Sequence, residues 1–92
     1  MKVVINDCYG GFCLSREAYE YLGLSWDGFG FAYDNDKMRA SEALVACVEA
    51  LGDRANGMCA RLKVVEIPDD VSWYIDEYDG LEIIRERHRS WH

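Results

Sequence analysis

The sequence predicts an α+β fold in which an antiparallel sheet of about four strands carries two helices on one face. Three observations predict it: a β-branched run opens the chain, two stretches with helical spacing follow, and extended segments separated by turn residues fill the last third. The predicted order is β-α-α-β-β-β. The chain has 92 residues, of which 50% are hydrophobic, enough for one modest core, so residues 1–92 are interpreted as a single domain.

The opening strand and a short helix occupy the beginning of the chain. The run KVVIN predicts a buried strand over Lys2–Asn6. The next periodic segment predicts a helix that begins after the N-cap Ser15 and stops at Gly23. Its predicted inward face consists of Leu14, Ala18, Tyr21 and Leu22. Residues 25–37 are predicted to form a loop, with a short extended piece over 29–33, that its aromatic side chains hold down.

The clearest helix is predicted over Ser41–Leu51, with Ser41 as its N-cap and Gly52 as its stop. Its predicted inward stripe consists of Leu44, Cys47, Val48 and Leu51. The following residues, DRANG, predict a turn in which Asn56 and Gly57 take positive φ. A strand is then predicted over Cys59–Ile67.

The last third of the chain is predicted to form a β-hairpin. Pro68, Asp69 and Asp70 indicate a turn, and Asp79-Gly80 is typical of a two-residue hairpin loop. The flanking strands are predicted over 71–78 and 81–88, although LEIIRERH also suits helical spacing. Because side chains alternate along a strand, Trp73, Ile75 and Glu77 are expected on one face, and Tyr74, Asp76 and Tyr78 on the other.

The net charge of the chain argues against one class of function and favours another. The formal charge of -7 argues against a protein that wraps duplex DNA, because phosphate contacts require a surplus of Lys and Arg. An acidic chain is better suited to a basic partner surface. No segment approaches the roughly 18 apolar residues of a membrane span, and the N-terminus does not resemble a secretory signal. The expected location is therefore intracellular, and the four cysteines are interpreted as free thiols.

The stretch DCYGGFCLS, residues 7–15, is interpreted as a strand-to-helix bend in which two glycines adopt unusual φ while Tyr9 and Phe12 anchor the bend in the core. The glycine spacing does not match a phosphate-binding loop. The cysteine spacing does not match a zinc site, and a cysteine nucleophile would need a base such as His88. We therefore expect no catalytic residue, no metal and no cofactor.

Two acidic groups stand out. Asp34 and Asp36 occupy the first and third positions of a calcium-loop pattern, but Arg39 and Val45 break it. The second group surrounds the predicted hairpin and is either a solvated edge or a docking surface for a groove lined by Arg and Lys. If it docks, the partner-binding residues are Asp69, Asp70, Trp73, Asp76, Glu77, Tyr78 and Asp79, with Trp26, Asp34 and Asp36 as further candidates. The tail RERHRSWH is basic, and three arginines do not offset the net charge.

Two stretches, KVVINDCYGGFCLSREA and ANGMCARLKVVEIPDDVSWYIDEYDGLEIIRERHRSW, carry a resemblance. With their combination of CYGGF-LS and EIPDDV-WYI-EYDG, they resemble a family of small proteins encoded by tailed phages and prophages. The resemblance implies a phage gene product that acts in the cytoplasm of a bacterial host. It supplies no catalytic residues to transfer to this chain.

The expected function is that of a non-enzymatic, anti-CRISPR-like inhibitor of a bacterial defence system. Its expected partner is a host protein or ribonucleoprotein with a basic groove, with no direct binding to duplex DNA and no membrane. A homodimer is left open. Two alternatives remain: a small enzyme or nucleotide-binding protein that uses the turn from Cys8 to Ser15, and an accessory protein of virion assembly.

Overall fold

Residues 1–87 contain two helices and four antiparallel strands in the predicted order, so the α+β class is confirmed. The structure is a computed structural model and describes residues 1–87. The strands are β1 (Lys2–Asn6), β2 (Leu62–Glu66), β3 (Trp73–Tyr78) and β4 (Leu81–Glu86), and the helices are α1 (Arg16–Leu22) and α2 (Glu42–Leu51). Two 3₁₀ turns, Asp36–Ala40 and Gly52–Ala55, flank α2.

The four strands divide into two two-stranded sheets rather than one four-stranded sheet. β1 pairs with β2, with Val4 opposite Val64, and β3 pairs with β4, with Ile75 opposite Ile84. β4 lies close to β1. No backbone ladder joins these two strands in the described part of the chain, because side chains occupy the edge of β1 that faces away from β2.

Helix α1 begins and ends as its capping residues predict. The backbone N–H of Ala18 donates to Ser15 Oγ at 3.0 Å, and Gly23 closes the helix in the left-handed region with φ 73°. The predicted inward face needs one correction, because Tyr19 is buried whereas Tyr21 is exposed. In so short a helix, a small rotation of the inward face changes which tyrosine is buried. The buried hydroxyl of Tyr19 donates a hydrogen bond to Asp27 and accepts one from the N–H of Ala32.

Helix α2 packs its predicted stripe into the core. Leu44, Cys47 and Val48 are buried, and Leu51 packs at the margin. Ser41 occupies the N-cap position without a side-chain capping bond, and Gly52 ends the helix. The core that α2 shares with α1 and β1 consists of Val4, Phe12, Leu14, Ala18, Tyr19, Leu44, Val45, Cys47, Val48 and Ala55.

The loops differ from the predictions in three places. The positive φ predicted for Asn56 and Gly57 is wrong, because it falls on Cys59 at 68° and Asn56 has φ -68°. β2 therefore begins later than predicted, at Leu62. Residues 29–33 do not form a strand, and a 3₁₀ turn follows them. The segment predicted as strand or helix is a strand, β4, and its last predicted residue, His88, lies outside the described residues.

None of the helices within residues 1–87 is long and apolar enough to cross a membrane.

Candidate functional site

The stretch 7–15, which we call the glycine turn, is a packing junction where three turns meet: the glycine turn itself, the turn at residues 57–60 and the hairpin loop Asp79-Gly80. A Cβ atom at Gly10 would lie 2.5 Å from the Cβ of Cys59 and overlap the carbonyl oxygen of that residue. A Cβ at Gly80, in the hairpin loop, would lie 2.7 Å from the carbonyl oxygen of Tyr9. Glycine is thus required at both positions because two backbones approach each other closely. The turn serves to seat the hairpin loop against the start of the chain.

Two details of the predicted bend are corrected. Gly11 has φ 92°, but Gly10 does not have positive φ, so steric contact is the reason for glycine at position 10. Phe12 is buried as expected, whereas Tyr9 is exposed and does not anchor the bend.

Asn6 joins the three turns through hydrogen bonds. Its side chain is fully buried, and its Nδ2 donates to the carbonyl oxygens of Cys8 and Gly80, both at 2.7 Å. Its Oδ1 accepts from the backbone N–H of Arg61 at 2.8 Å. A buried amide with all these partners satisfied fixes the position of the hairpin loop relative to β1.

The cysteines around the junction are free thiols, as predicted, and the environment of two of the four disfavours the thiolate. Cys8 Sγ donates to the carbonyl oxygen of Cys59 at 2.9 Å, and Cys13 Sγ donates to that of Met58 at 3.1 Å. Burial, with smaller contributions from Cys59 and Cys8, raises the pKa of Cys13, and burial raises the pKa of Cys47. Cys13 and Cys47 are thus poor nucleophiles at neutral pH.

The sequence raised two chemical possibilities, a metal site and a cysteine nucleophile, and the described residues bear on them differently. No group of three or more His, Cys, Asp or Glu side chains that could hold a metal ion occurs in residues 1–87. His88, the base considered for a cysteine nucleophile, lies outside the described residues, as do Arg89 and Trp91 of the basic tail.

A buried ion pair, which no pattern in the sequence indicates, fastens the hairpin to β1. The side chains of Arg39 and Glu82 are 2% and 6% exposed. Arg39 Nη1 donates to Glu82 Oε1 at 2.6 Å and Nη2 donates to Oε2 at 2.8 Å, which is a bidentate geometry. The guanidinium also lies 3.5 Å from the ring centroid of Phe12.

The same ion pair closes the free edge of β1. Arg39 Nη1 donates to the carbonyl oxygen of Val4 at 3.3 Å, and the N–H of Asn6 donates to Glu82 Oε1 at 2.7 Å. These two backbone groups belong to alternate residues, which point away from β2 in an antiparallel ladder. The two side chains therefore take the place of a neighbouring strand, which protects an edge that would otherwise be open to pairing.

The structure places seven of the ten candidate partner-binding residues in or beside the β3–β4 hairpin. We call the side of the hairpin that carries Tyr74, Asp76, Tyr78, Leu81, Ile83 and Arg85 the outer face. Tyr78 is 73% exposed on this face, whereas Trp73 is half-buried on the opposite face with Ile75. The predicted alternation is therefore confirmed. Asp36 joins this region because its Oδ2 accepts from the N–H of Ile75 at 3.2 Å.

Most of the candidate carboxylates already have partners within the chain. Asp76 Oδ2 accepts from Arg85 Nε at 2.6 Å, and Glu77 Oε1 accepts from the N–H of Gly80 at 2.8 Å. Asp69 pairs with the N-terminal amine, and Asp34 lies 3.3 Å from Arg39. Among the described residues, Asp70 and Asp79 are the only candidate carboxylates that accept no hydrogen bond and form no ion pair. These two carry the charge most available to a second molecule.

Trp26 lies apart from the hairpin, on a segment that we call the aromatic loop, residues 25–33. Its ring contacts that of Tyr19 edge-on at a centroid distance of 5.0 Å. Phe29 and Phe31 stack on each other at 5.9 Å and are exposed. The prediction that the aromatic side chains hold this loop down is thus right for Trp26 and wrong for the two phenylalanines.

Asp27 fixes the aromatic loop instead. Its Oδ1 accepts from the N–H groups of Phe29 at 2.8 Å and Gly30 at 2.7 Å, and its Oδ2 accepts from the hydroxyl of Tyr19 at 2.7 Å. Chiefly the bond from Gly30, then those from Tyr19 and Phe29, lower the pKa of Asp27 to about 2. The carboxylate is therefore ionised throughout the physiological pH range.

The depressed pKa of Asp27 predicts that the aromatic loop loosens in acid. Because the folded-state pKa lies below the ordinary value of 3.8, the ionised group stabilises the loop above about pH 4, and this contribution disappears as pH falls toward about 2. Trp26 fluorescence in the folded protein should report a transition in that window. In Asp27→Asn the transition should be absent. An unchanged transition in that variant would assign it to another carboxylate.

A groove of about 610 Å³ lies between the aromatic loop and the glycine turn. Its walls include Trp26, Phe29, Phe31 and Met58, and its floor is the backbone from Gly10 to Leu14. This groove is not among the features predicted from the sequence, although the four aromatic residues within 25–37 were a signal for an aromatic surface.

Comparisons with protein-family models, with curated proteins and with solved structures gave no match.

Proposed function

We propose that this protein is a non-enzymatic inhibitor that docks the outer face of its hairpin on a basic groove of a bacterial protein or ribonucleoprotein. In the proposed setting it is encoded by a phage, acts in the host cytoplasm and blocks a defence system in an anti-CRISPR-like manner. The phage setting rests on the resemblance of both ends of the chain. The docking mode rests on the hairpin.

The observation that carries the docking mode is the exposed ring of Tyr78 beside the carboxylate of Asp79 at the end of the hairpin. Tyr78 is 73% exposed, and Asp79, whose carboxylate has no partner among the described residues, follows it in sequence. An exposed tyrosine is a typical anchor of an interface, and carboxylates next to it can pair with Arg side chains. This hairpin end supplies both kinds of group in one place.

The hairpin is held rigidly enough for this role. Asn6 donates to the carbonyl oxygen of the loop residue Gly80, and Glu82 is bonded to Arg39, so the hairpin loop and the beginning of β4 are both fixed to the body of the protein. A surface ordered before binding loses less conformational entropy when it docks. The net charge of -7 adds long-range attraction to a basic groove, which speeds association.

Truncation of Tyr78 should separate binding from folding. Tyr78→Ala is expected to weaken partner binding by at least about 30-fold, through faster dissociation, without lowering the melting temperature. Trp73→Ala is the matched control, because its ring lies half-buried on the opposite face, and it should lose about 2 kcal/mol of stability instead. The measurements are pulldown from a bacterial host lysate with mass spectrometry, kinetics on the captured partner, and thermal melts.

Charge and salt provide the second part of this test. Asp79→Asn removes a charge that has no described partner, and asparagine tolerates the φ of 51° at that position. The variant should bind more slowly, and binding of the wild type should weaken as salt rises. If Tyr78→Ala and Asp79→Asn both bind like the wild type and salt has no effect, docking through the hairpin is wrong. Self-association as the sole result of the pulldown would favour the virion-assembly alternative.

A further inference from the structure

The groove beside the glycine turn has an unusually apolar rim. Phe29 is 69% exposed, Phe31 is 60% exposed and Met58 is 88% exposed. Trp26 completes the wall. We call the side chains of Trp26, Phe29, Phe31 and Met58 together the aromatic rim. A cluster of large apolar side chains on a small protein marks an interaction site, because water disfavours its exposure.

The size of the aromatic rim matches one side of a protein interface. Because an aromatic side chain buries about 150–250 Å² when it is fully covered, the exposed fractions of the rim amount to an area on the order of 500 Å². A standard interface buries about 800 Å² on each partner. Polar residues around the rim can supply the remainder.

The charges next to the rim are of both signs. Arg16 lines the groove, and Asp27 lies between two of the lining residues, Trp26 and Gly28. Neither charge forms an ion pair within residues 1–87, and the low pKa of Asp27 keeps it ionised. In a two-fold interface the same patch occurs on both partners, so a cation and an anion beside one apolar centre can each meet their opposite across the axis.

From the area and the mixed charges we propose that the aromatic rim is the interface between two copies of this chain, related by a two-fold axis. A strongly basic partner would favour a purely acidic patch, such as the hairpin end, over this one. The proposal is independent of the proposed function, since it uses none of the residues of the hairpin outer face. A dimer would carry two hairpins and would bind a target with repeated sites more tightly.

Sedimentation velocity of the purified full chain tests the interface. The wild type is expected to dimerise with a Kd on the order of 10 µM, and the double variant F29S/F31S should be monomeric over the same concentrations. Higher salt should strengthen the dimer, because it weakens the repulsion between two chains of charge -7 more than it weakens the exposed contacts between Arg16 and Asp27 across the axis. This is opposite to the salt effect expected for hairpin docking, so the two proposals can fail separately.

Tyr21→Ser is the matched control, because this exposed aromatic lies on α1 and does not line the groove, and the variant should remain dimeric. If F29S/F31S does not fold, Met58→Glu should give the same monomer by placing a charge in the apolar centre. A wild type that is monomeric at about 1 mM would overturn the proposal and leave the groove to a different partner. A dimer that persists in F29S/F31S and Met58→Glu would also overturn it.

Discussion

Arg39→Ala is expected to destabilise the protein by about 3–5 kcal/mol, because it leaves the carboxylate of Glu82 buried without its cation. The change also removes the donor to the carbonyl oxygen of Val4 and the contact with the ring of Phe12. A domain of this size has a total stability on the order of 5 kcal/mol. The variant should therefore retain only about 0–2 kcal/mol of stability, so that up to about half of the molecules are unfolded.

Chemical denaturation of three variants tests this role of the ion pair. Glu82→Gln should be nearly as destabilising, since it leaves the buried guanidinium with only the exposed carboxylate of Asp34 as a counter-charge. Asp34→Ala is the control, because this carboxylate is 66% exposed and its contact with Arg39 is the outer one, so it should cost less than about 1 kcal/mol. Equal losses for Arg39→Ala and Asp34→Ala would contradict the account given for the buried pair.

The ion pair also connects stability with the proposed function. It ties the second strand of the hairpin to the 3₁₀ turn Asp36–Ala40 and to the edge of β1. Loss of the pair therefore frees the hairpin that carries Tyr78. A partially destabilising change such as Glu82→Gln is expected to weaken docking even at temperatures where the protein remains folded.

The elements with local signals could be predicted from the sequence. Ser15 and Gly23 cap α1 as expected, because a cap depends on side chains within one helical turn. Asp79-Gly80 forms the expected hairpin loop, since positive φ at both positions is a property of that dipeptide. The faces of β3 follow from alternation alone.

Contacts between distant parts of the chain could not be predicted in the same way. Arg39 and Glu82 are 43 residues apart, and neither lies in a pattern that indicates burial, because charged side chains are usually exposed. The expectation of one four-stranded sheet depended on an open edge of β1, which this pair occupies. The candidate docking residues were grouped by charge, and the sequence could not show that Asp36 and Asp69 bond within the chain.

The junction of the three turns provides the second large expected effect. Gly10→Ala is expected to destabilise the protein by at least about 3 kcal/mol, because the new Cβ would overlap the carbonyl oxygen of Cys59 and lie 2.5 Å from its Cβ. Neither atom is the end of a flexible side chain, so relief requires movement of the backbone of residues 57–60 or of the glycine turn itself. Movement of the glycine turn would also displace the hairpin loop, because Gly80 packs on the backbone of residues 9–11.

Gly23→Ala is the matched control, because it measures the cost of an unfavourable backbone conformation at a position that no other backbone approaches. Gly23 has φ 73° and open space around its Cα, so alanine there should cost about 1 kcal/mol through the left-handed region alone. Gly10 does not have positive φ, and a loss much larger than in Gly23→Ala would therefore arise from packing. Urea denaturation of the two variants gives the comparison. If Gly10→Ala is no less stable than Gly23→Ala, the three turns do not meet as closely as described, and the hairpin loop is not seated by the glycine turn.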